Sequence, residues 1–320
     1  MEKTDDVVKI SLLGLQNAGK TSIIKSLKHE FEEFSNLEPT KGVNRTQFEI
    51  FGQNLFFWDF GGQKVYREKY LKYEQKYFQN IHILYYVVDV QDRAVLEDSI
   101  DYFIEVIDKI KQYNPKVITN ILFHKWDPPL NGEENEMEEY EKHKMQFLDK
   151  ALMHVSPETP AKISETSIFR PLSIVKAISR PMFQKDNLHQ RTSTLLEDFC
   201  KRHDFKFGFI NTKHFFELGR YIHPNLEHKP IEKRILEFEK VHKKLIYEQP
   251  YFEKRVEKIQ FMSSRFVIKG TGKFYLVLMI FGDNHGSKKK PESYEKVIIE
   301  AKNELKKLYE SIGLNNFKLR

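Results

Sequence analysis

Near the N-terminus the run Gly14-Leu15-Gln16-Asn17-Ala18-Gly19-Lys20-Thr21 fits the pattern G-x-x-x-x-G-K-[ST]. Val7–Leu13 before it reads as a short buried strand, and Ser22 to Leu27 after it opens a helix. That setting turns a glycine-rich turn into an anion cradle. Backbone N–H groups converge at a helix N-terminus, where the partial positive charge favours phosphate oxygens. The loop from Gly14 through Gln16, Asn17, Ala18 and Gly19 to Ser22 is therefore expected to wrap a nucleoside triphosphate. Lys20 is expected to reach the β- and γ-phosphates, and the Thr21 hydroxyl to ligate Mg²⁺.

The base is chosen downstream. The β-branched run Val117–Phe123 ends in His124-Lys125-Trp126-Asp127, similar to the [N/T/H]-K-x-D box that small GTPases carry after such a strand. Asp127 can accept from both N1–H and the exocyclic amine of guanine. Adenine offers neither donor there, so a buried carboxylate left unpaired would penalise it. The Lys125 stem is expected along the base plane. Between the two sites lies Trp58-Asp59-Phe60-Gly61-Gly62-Gln63. Asp59 is expected to hold Mg²⁺ through a water, since a hard cation prefers carboxylate oxygen and keeps part of its hydration shell. Gly62 lets its N–H approach the γ-phosphate closely, and Gln63 stands where a water-orienting residue belongs in GTP hydrolysis. Thr40, in Glu38-Pro39-Thr40-Lys41-Gly42, offers a second hydroxyl to the metal; its plainer reading is a turn residue after proline.

These residues resemble the Ras superfamily, with two branches sharing the match. The phosphate loop, Trp58–Gln63 and Pro39–Gly42 resemble the Arf family. The His124 box, the run Tyr86–Arg93 and Thr166-Ser167-Ile168 are similar to the Rag/Gtr family, where the Ser167 backbone N–H would contact the guanine carbonyl. Length favours the Rag/Gtr plan, in which the GTPase domain is followed by a roadblock-type dimerisation domain. The resemblance implies a P-loop GTPase domain over 1–185, a smaller α+β roadblock/longin-like domain over 186–320, and a homodimer or a heterodimer with a related GTPase. It also implies GTP and GDP as ligands, Mg²⁺ as cofactor, and regulation by activating and exchange proteins. Gln16 departs from the Arf pattern, which has Asp there; a side chain at that position crowds Gln63 and predicts slow intrinsic hydrolysis. Two other readings stay open: an Arf-like trafficking GTPase with an appended domain, and a nucleotide-binding scaffold that barely hydrolyses.

Period and composition support this division. Strand-like runs near 7–13, 46–51, 54–60, 83–89, 117–123 and 162–166 alternate with helical runs near 20–30, 95–113, 135–152 and 171–183. Such alternation specifies an α/β fold, a mostly parallel six-stranded sheet with helices on both faces, with 46–51 and 54–60 as an antiparallel edge hairpin. Beyond a boundary near 183–187, helices are expected at 189–202, 231–247 and 292–312, and strands at 205–210, 255–269 and 273–282. Tyr251-Phe252 and Phe274-Tyr275 are candidate dimer anchors. Cys200 stands alone, as expected in a reducing cytosol. A net charge of +6 with 46 acidic residues against 52 basic ones is too mild to indicate nucleic acid, and no nucleic-acid motif accompanies it. No apolar run is long enough to span a membrane. Residue 2 is Glu rather than the Gly of a myristoylation start, and Phe317–Arg320 holds no prenylatable cysteine. A cytoplasmic protein is expected, with membrane contact weak or through partners.

Overall fold

The computed structural model describes residues 8–28, 38–50, 53–127, 134–182, 187–212, 216–224, 251–256, 259–267, 275–283 and 294–312. Contacts divide the chain into two compact units, one of Met1–Glu49 and Gln53–Ala177, the other mainly of Ile178–Leu319.

In the first unit the strands are β1 (Val8–Leu13), β2 (Val43–Ile50), β3 (Gln53–Phe60), β4 (Ile81–Asp89), β5 (Ile118–His124) and β6 (Lys162–Thr166). The helices are α1 (Lys20–Lys28), α2 (Lys64–Lys72), α3 (Glu74–Phe78), α4 (Leu96–Tyr113) and α5 (Glu134–Ala151), while α6 (Pro171–Met182) contains the division, its residues from Ile178 on belonging to the second unit. The sheet order is β2-β3-β1-β4-β5-β6. The β1–β3, β1–β4, β4–β5 and β5–β6 pairs are parallel. All six β1 residues are buried, as a central parallel strand covered on both faces requires. α4 lays down a stripe of Leu96, Ile100, Phe103, Ile107 and Ile110, spaced by three and four residues, all buried. Phe103 meets Tyr86 of β4 edge to face at 4.9 Å, and Phe147 of α5 meets Phe123 of β5 at 5.6 Å. This packing anchors β4 and β5, whose C-terminal ends carry Asp89 and His124.

Each of the six strands expected from the sequence is present, with ends shifted by three residues or fewer. The helices α2 and α3 were not expected. α2 buries only Tyr70, so its sequence carries no apolar stripe to read.

The second unit contains α7 (Leu188–Arg202), β7 (Phe207–Thr212), β8 (Glu217–Ile222), β9 (Tyr251–Val256), β10 (Ile259–Val267), β11 (Tyr275–Asp283) and α8 (Tyr294–Ile312). Its sheet order is β8-β7-β11-β10-β9, with each pair antiparallel. β8 was not expected, and the single strand expected over 255–269 is instead the hairpin β9–β10, with Val256 opposite Ile259. Glu257-Lys258 carries no glycine, proline or Asn/Asp signature, so nothing in the sequence separates the two strands. α7 lies close on β8: a Cβ on Gly219 would come within 2.6 Å of Thr192. Arg202 of α7 pairs with Glu304 of α8 at 2.6 Å, and Thr192 meets Tyr309 at 3.2 Å. The expected helix at 231–247, the turn at 269–272 and the anchors Tyr251, Phe252, Phe274 and Tyr275 lie on residues or side chains outside those described. The units divide between Ala177 and Ile178, where 185/186 was expected.

Candidate functional site

At the end of β1 the chain turns through Gly14–Gly19 and enters α1 at Lys20, whose ammonium is buried. Lys20 Nζ donates to the carbonyls of Gly14 at 3.0 Å and Leu15 at 2.6 Å, so the loop closes around its own lysine. Burial lowers the Lys20 ammonium to about 8, with Asp59 opposing that shift and Arg67 adding to it. An anion at this position would restore the charge that burial disfavours. Two glycines are forced by space. Gly19 has φ +92°, and a Cβ there would lie 2.3 Å from the His124 ring. A Cβ on Gly62 would lie 2.3 Å from the backbone of Leu15 and Gln16, so the turn after β3 rests directly on the phosphate loop. One cleft is lined by Gln16, Asn17, Gly19, Lys20, Thr21, Ser22, Glu38, Pro39, Thr40, Phe60, Gly62 and Gln63. Gly14 and Ala18 back the loop from behind, Ala18 being buried.

Three oxygens from three elements converge at the mouth of that cleft. Thr21 Oγ1 donates to Asp59 Oδ2 at 2.7 Å, Thr40 Oγ1 donates to the same oxygen at 3.2 Å, and the two hydroxyls lie 3.0 Å apart. Burial raises the Asp59 carboxyl, while the Thr21 bond and the Lys20 charge pull it down. Asp59 Oδ1 is buried with no hydrogen-bond partner. A carboxylate with an unused lone-pair face beside two hydroxyls is the all-oxygen donor set of a hard divalent cation that retains water and phosphate ligands. The residues therefore fit Mg²⁺. Among the described residues no cluster of three His, Cys, Asp or Glu offers a rival metal site.

The segment bearing Thr40 is tied to α2 through one carbonyl. Gly42 O accepts from Gly61 N at 2.8 Å and from the Tyr70 hydroxyl at 2.7 Å. Tyr70 is fully buried against Phe60 and Tyr77, both at 4.9 Å. Gln63 occupies the N-cap of α2 and leaves its side chain free of a capping bond. Removing the Tyr70 hydroxyl deletes the bond from Gly42 to α2 and leaves only the one from Gly61, in the turn before that helix. For Tyr70→Phe, amide exchange at residues 40–42 and along α2 should quicken about fivefold, the equivalent of about 1 kcal/mol. Hydrogen-exchange mass spectrometry reads it; unchanged exchange would show that the Gly61 bond alone holds the clasp. Arg67, one turn into α2, is half-buried over the Tyr102 ring at 5.0 Å, with its Nε buried and unpartnered.

The second cluster stands at the ends of β4, β5 and β6. Asp127 Oδ1 accepts from Ser167 Oγ at 2.5 Å, and Oδ2 accepts from Gln91 Nε2 at 3.0 Å. Lys125, at φ +61°, places its Nζ 2.5 Å from Asp89 Oδ2. His124 is buried, faces Thr166 Oγ1 at 2.9 Å through Nδ1, and packs beneath Gly19. Burial, with the Lys125 charge adding to it, lowers the ring to about 3. His124 is thus a neutral strut between the phosphate loop and the β6 loop rather than a group presented to a ligand. The Ser167 N–H, expected to face a guanine carbonyl, donates to Ser173 Oγ at 3.1 Å, and the Ser167 hydroxyl is the atom turned on Asp127. Ile168 follows it, half-buried. Arg170 Nη2 donates to Trp126 O at 2.7 Å and holds the same loop from the other side. Sequence reasoning missed Gln91 and Arg170: each acts through a backbone or carboxylate partner distant in the chain.

No described helix is long and apolar enough to cross a membrane. The chain is 38% identical over 99 residues to an ADP-ribosylation factor-like protein 3 of Chlamydomonas reinhardtii, 31% of this chain and 52% of that one. It is 36% identical over 105 residues to the protein of the same name in Caenorhabditis elegans, 32% of this chain and 54% of that one. The chain spans about half the length of these curated relatives. Among solved structures, the Arl6 BBS3 small GTPase of Trypanosoma brucei with bound GppNp covers 54% of this chain and 94% of its own, at 21% identity and a TM-score of 0.41. The model of the Gtr1/RagA G protein conserved region matches residues 9–215, from the second residue of β1 past the end of β7. With that match spanning both clusters of the site, the chain belongs to the Gtr1/RagA G protein family.

Proposed function

We propose that this protein is a guanine-nucleotide switch that binds GTP with Mg²⁺ and hydrolyses it to GDP and phosphate. The observation that carries the reading is the convergence of Thr21, Thr40 and Asp59 oxygens beside the buried Lys20 ammonium. Bound there, Mg²⁺ would offset charge on the β- and γ-phosphate oxygens. Lys20 and the loop N–H groups hold those oxygens in place. Gly62 brings its N–H to the γ-phosphate, and Gln63 orients the attacking water from the head of α2. Asp127 accepts the two guanine donors at the far end, and Lys125 covers the base. Thr40 would add its hydroxyl to the metal's ligands in the triphosphate state, so hydrolysis and phosphate release would remove that hold on its segment and, through Gly42, loosen α2.

Among the described residues no arginine lines the cleft, Arg67 being stacked on Tyr102. Intrinsic turnover is therefore slow, and an activating protein is expected to supply the missing charge. The second unit serves as a roadblock-like dimerisation domain, for a second copy or a related GTPase. The protein works in the cytoplasm and meets membranes through its partners. The alternative of a weakly hydrolysing scaffold draws support from Gln16, which lines the same cleft as Gln63 and competes for the water's space.

Calorimetry with Mg²⁺ tests the binding step: GDP and GTP should bind and ADP should not, and Lys20→Ala should abolish the signal. In single-turnover hydrolysis Gln63→Leu should slow phosphate release about tenfold or more. Equal rates for wild type and variant would remove Gln63 from the mechanism and favour the scaffold.

A further inference from the structure

Gln91, just past the end of β4, stands in the turn that faces the guanine-recognition cluster. Its side-chain nitrogen donates to Asp127 Oδ2 at 3.0 Å and to the Lys125 carbonyl at 2.9 Å. Its own backbone N–H donates to Asp89 Oδ1 at 3.0 Å, and Asp89 Oδ2 receives Lys125 Nζ at 2.5 Å. These bonds close a ring through Gln91, Asp89 and Lys125, and the same Gln91 amide ties Asp127 to it. The orientation of the Gln91 amide is dictated by chemistry: its oxygen in that place would face a carboxylate and a carbonyl, three acceptors together with no proton between them. Both amide protons are therefore spent, one on each partner.

We propose that Gln91 is the positioning residue that fixes the plane of the Asp127 carboxylate and so sets discrimination for guanine; this role rests on the guanine-nucleotide reading above. Ser167 holds Oδ1 from the β6 loop, and Gln91 holds Oδ2 from the β4 loop. A carboxylate has about four lone-pair sites. With one site on each oxygen taken by the protein, one remains on each, matching the N1–H and N2–H donors of a guanine edge. A carboxylate pinned at only one oxygen would swing about its Cβ–Cγ bond and present a single good acceptor. Tyr140 of α5 lies beside the Gln91 side chain and packs against Trp126 at 5.7 Å. The ring also holds Lys125 in its left-handed backbone conformation at φ +61°, which a non-glycine residue keeps only when its surroundings impose it.

The test uses the full-length chain and compares GDP with inosine diphosphate, whose base lacks the 2-amino donor. Gln91→Ala should weaken GDP about tenfold and inosine diphosphate much less, narrowing the ratio between them. Gln91→Glu, with the same length but no donated proton, should weaken GDP further, because it sets a second carboxylate against Asp127. Thermal melts of the nucleotide-free variants serve as the control and should match wild type. Equal weakening of both nucleotides would show a merely structural role and overturn the proposal, as would unchanged GDP affinity. Tighter GDP binding would show that Gln91 occupies the place of the base, and would overturn it too. Should wild type bind GDP no better than ADP, the guanine reading itself falls and takes this role with it, a result distinct from any variant effect.

Discussion

Asp127→Asn should exchange the base preference of this protein, weakening GDP by about 10²–10³-fold while creating affinity for xanthosine diphosphate. Guanine presents two donors, N1–H and the 2-amino group, and the Asp127 carboxylate answers with two acceptors. An amide keeps one acceptor and turns the other into a donor, which clashes with the 2-amino group and matches the carbonyl that xanthine carries in its place. Hydrogen bonds to a charged group contribute about 1.5–3 kcal/mol each, so losing one and opposing a donor with a donor accounts for the size of the change. The surrounding bonds can follow the substitution. Ser167 Oγ, now 2.5 Å from Oδ1, can accept as readily as donate. The Gln91 amide cannot turn over without facing its oxygen to the Lys125 carbonyl, so the amide nitrogen of the variant should settle on the Ser167 side. Competition of both diphosphates against a fluorescent guanine nucleotide measures the exchange. Retention of GDP affinity in the variant would mean that Asp127 does not read the base.

How far such a site is legible in a sequence depends on how local its physics is. The phosphate loop was legible because its requirements lie within one strand-turn-helix segment: Gly14 and Gly19 for backbone path, Lys20 and Thr21 for charge and hydroxyl. Trp58–Gln63 and His124–Asp127 were legible because each follows an apolar strand directly. The reading failed where a residue acts across the fold. His124 sits in the base-reading box but is spent as a buried strut under Gly19. Gln91 looks like one polar turn residue among several, and only the arrangement of β4 beside β5 brings it to Asp127. Tyr70 stands in a charged, weakly amphipathic stretch, so neither α2 nor the clasp on Gly42 could be anticipated. In the second unit, β8 begins with Glu217, a residue depleted in strands, and only its buried partners reveal why it is tolerated there.

Glu217 is fully buried at the edge of the second sheet, and replacing it with Gln should destabilise that unit by about 3–5 kcal/mol at neutral pH. Its carboxylate receives the Arg220 guanidinium through both Nε and Nη2 and His189 Nε2 at 2.8 Å, with Arg180 nearby. The Glu217 backbone N–H is taken by Ser179 Oγ at 2.9 Å. Burial pushes the carboxyl up, yet Arg220 and His189 outweigh it and hold the group at about 2. Gln is nearly the same shape but carries no charge, so the half-buried Arg220 and His189 are left facing a neutral amide. The pH dependence follows from the direction of the shift. An unfolded Glu titrates near about 4.3. A folded value below that means that the charge contributes its full stability above roughly pH 5, and that this contribution drains away as pH falls toward about 2. Wild type should therefore lose its advantage over Glu217→Gln through that window and converge with it near the lower end, where both carry an uncharged group. Urea titrations at neutral and acid pH, read by hydrogen exchange at the amides of β7 and β8, separate this unit from the nucleotide-binding one. A stability gap that stayed constant with pH would show that Glu217 holds the strand by shape and hydrogen bonding, with its charge playing no part.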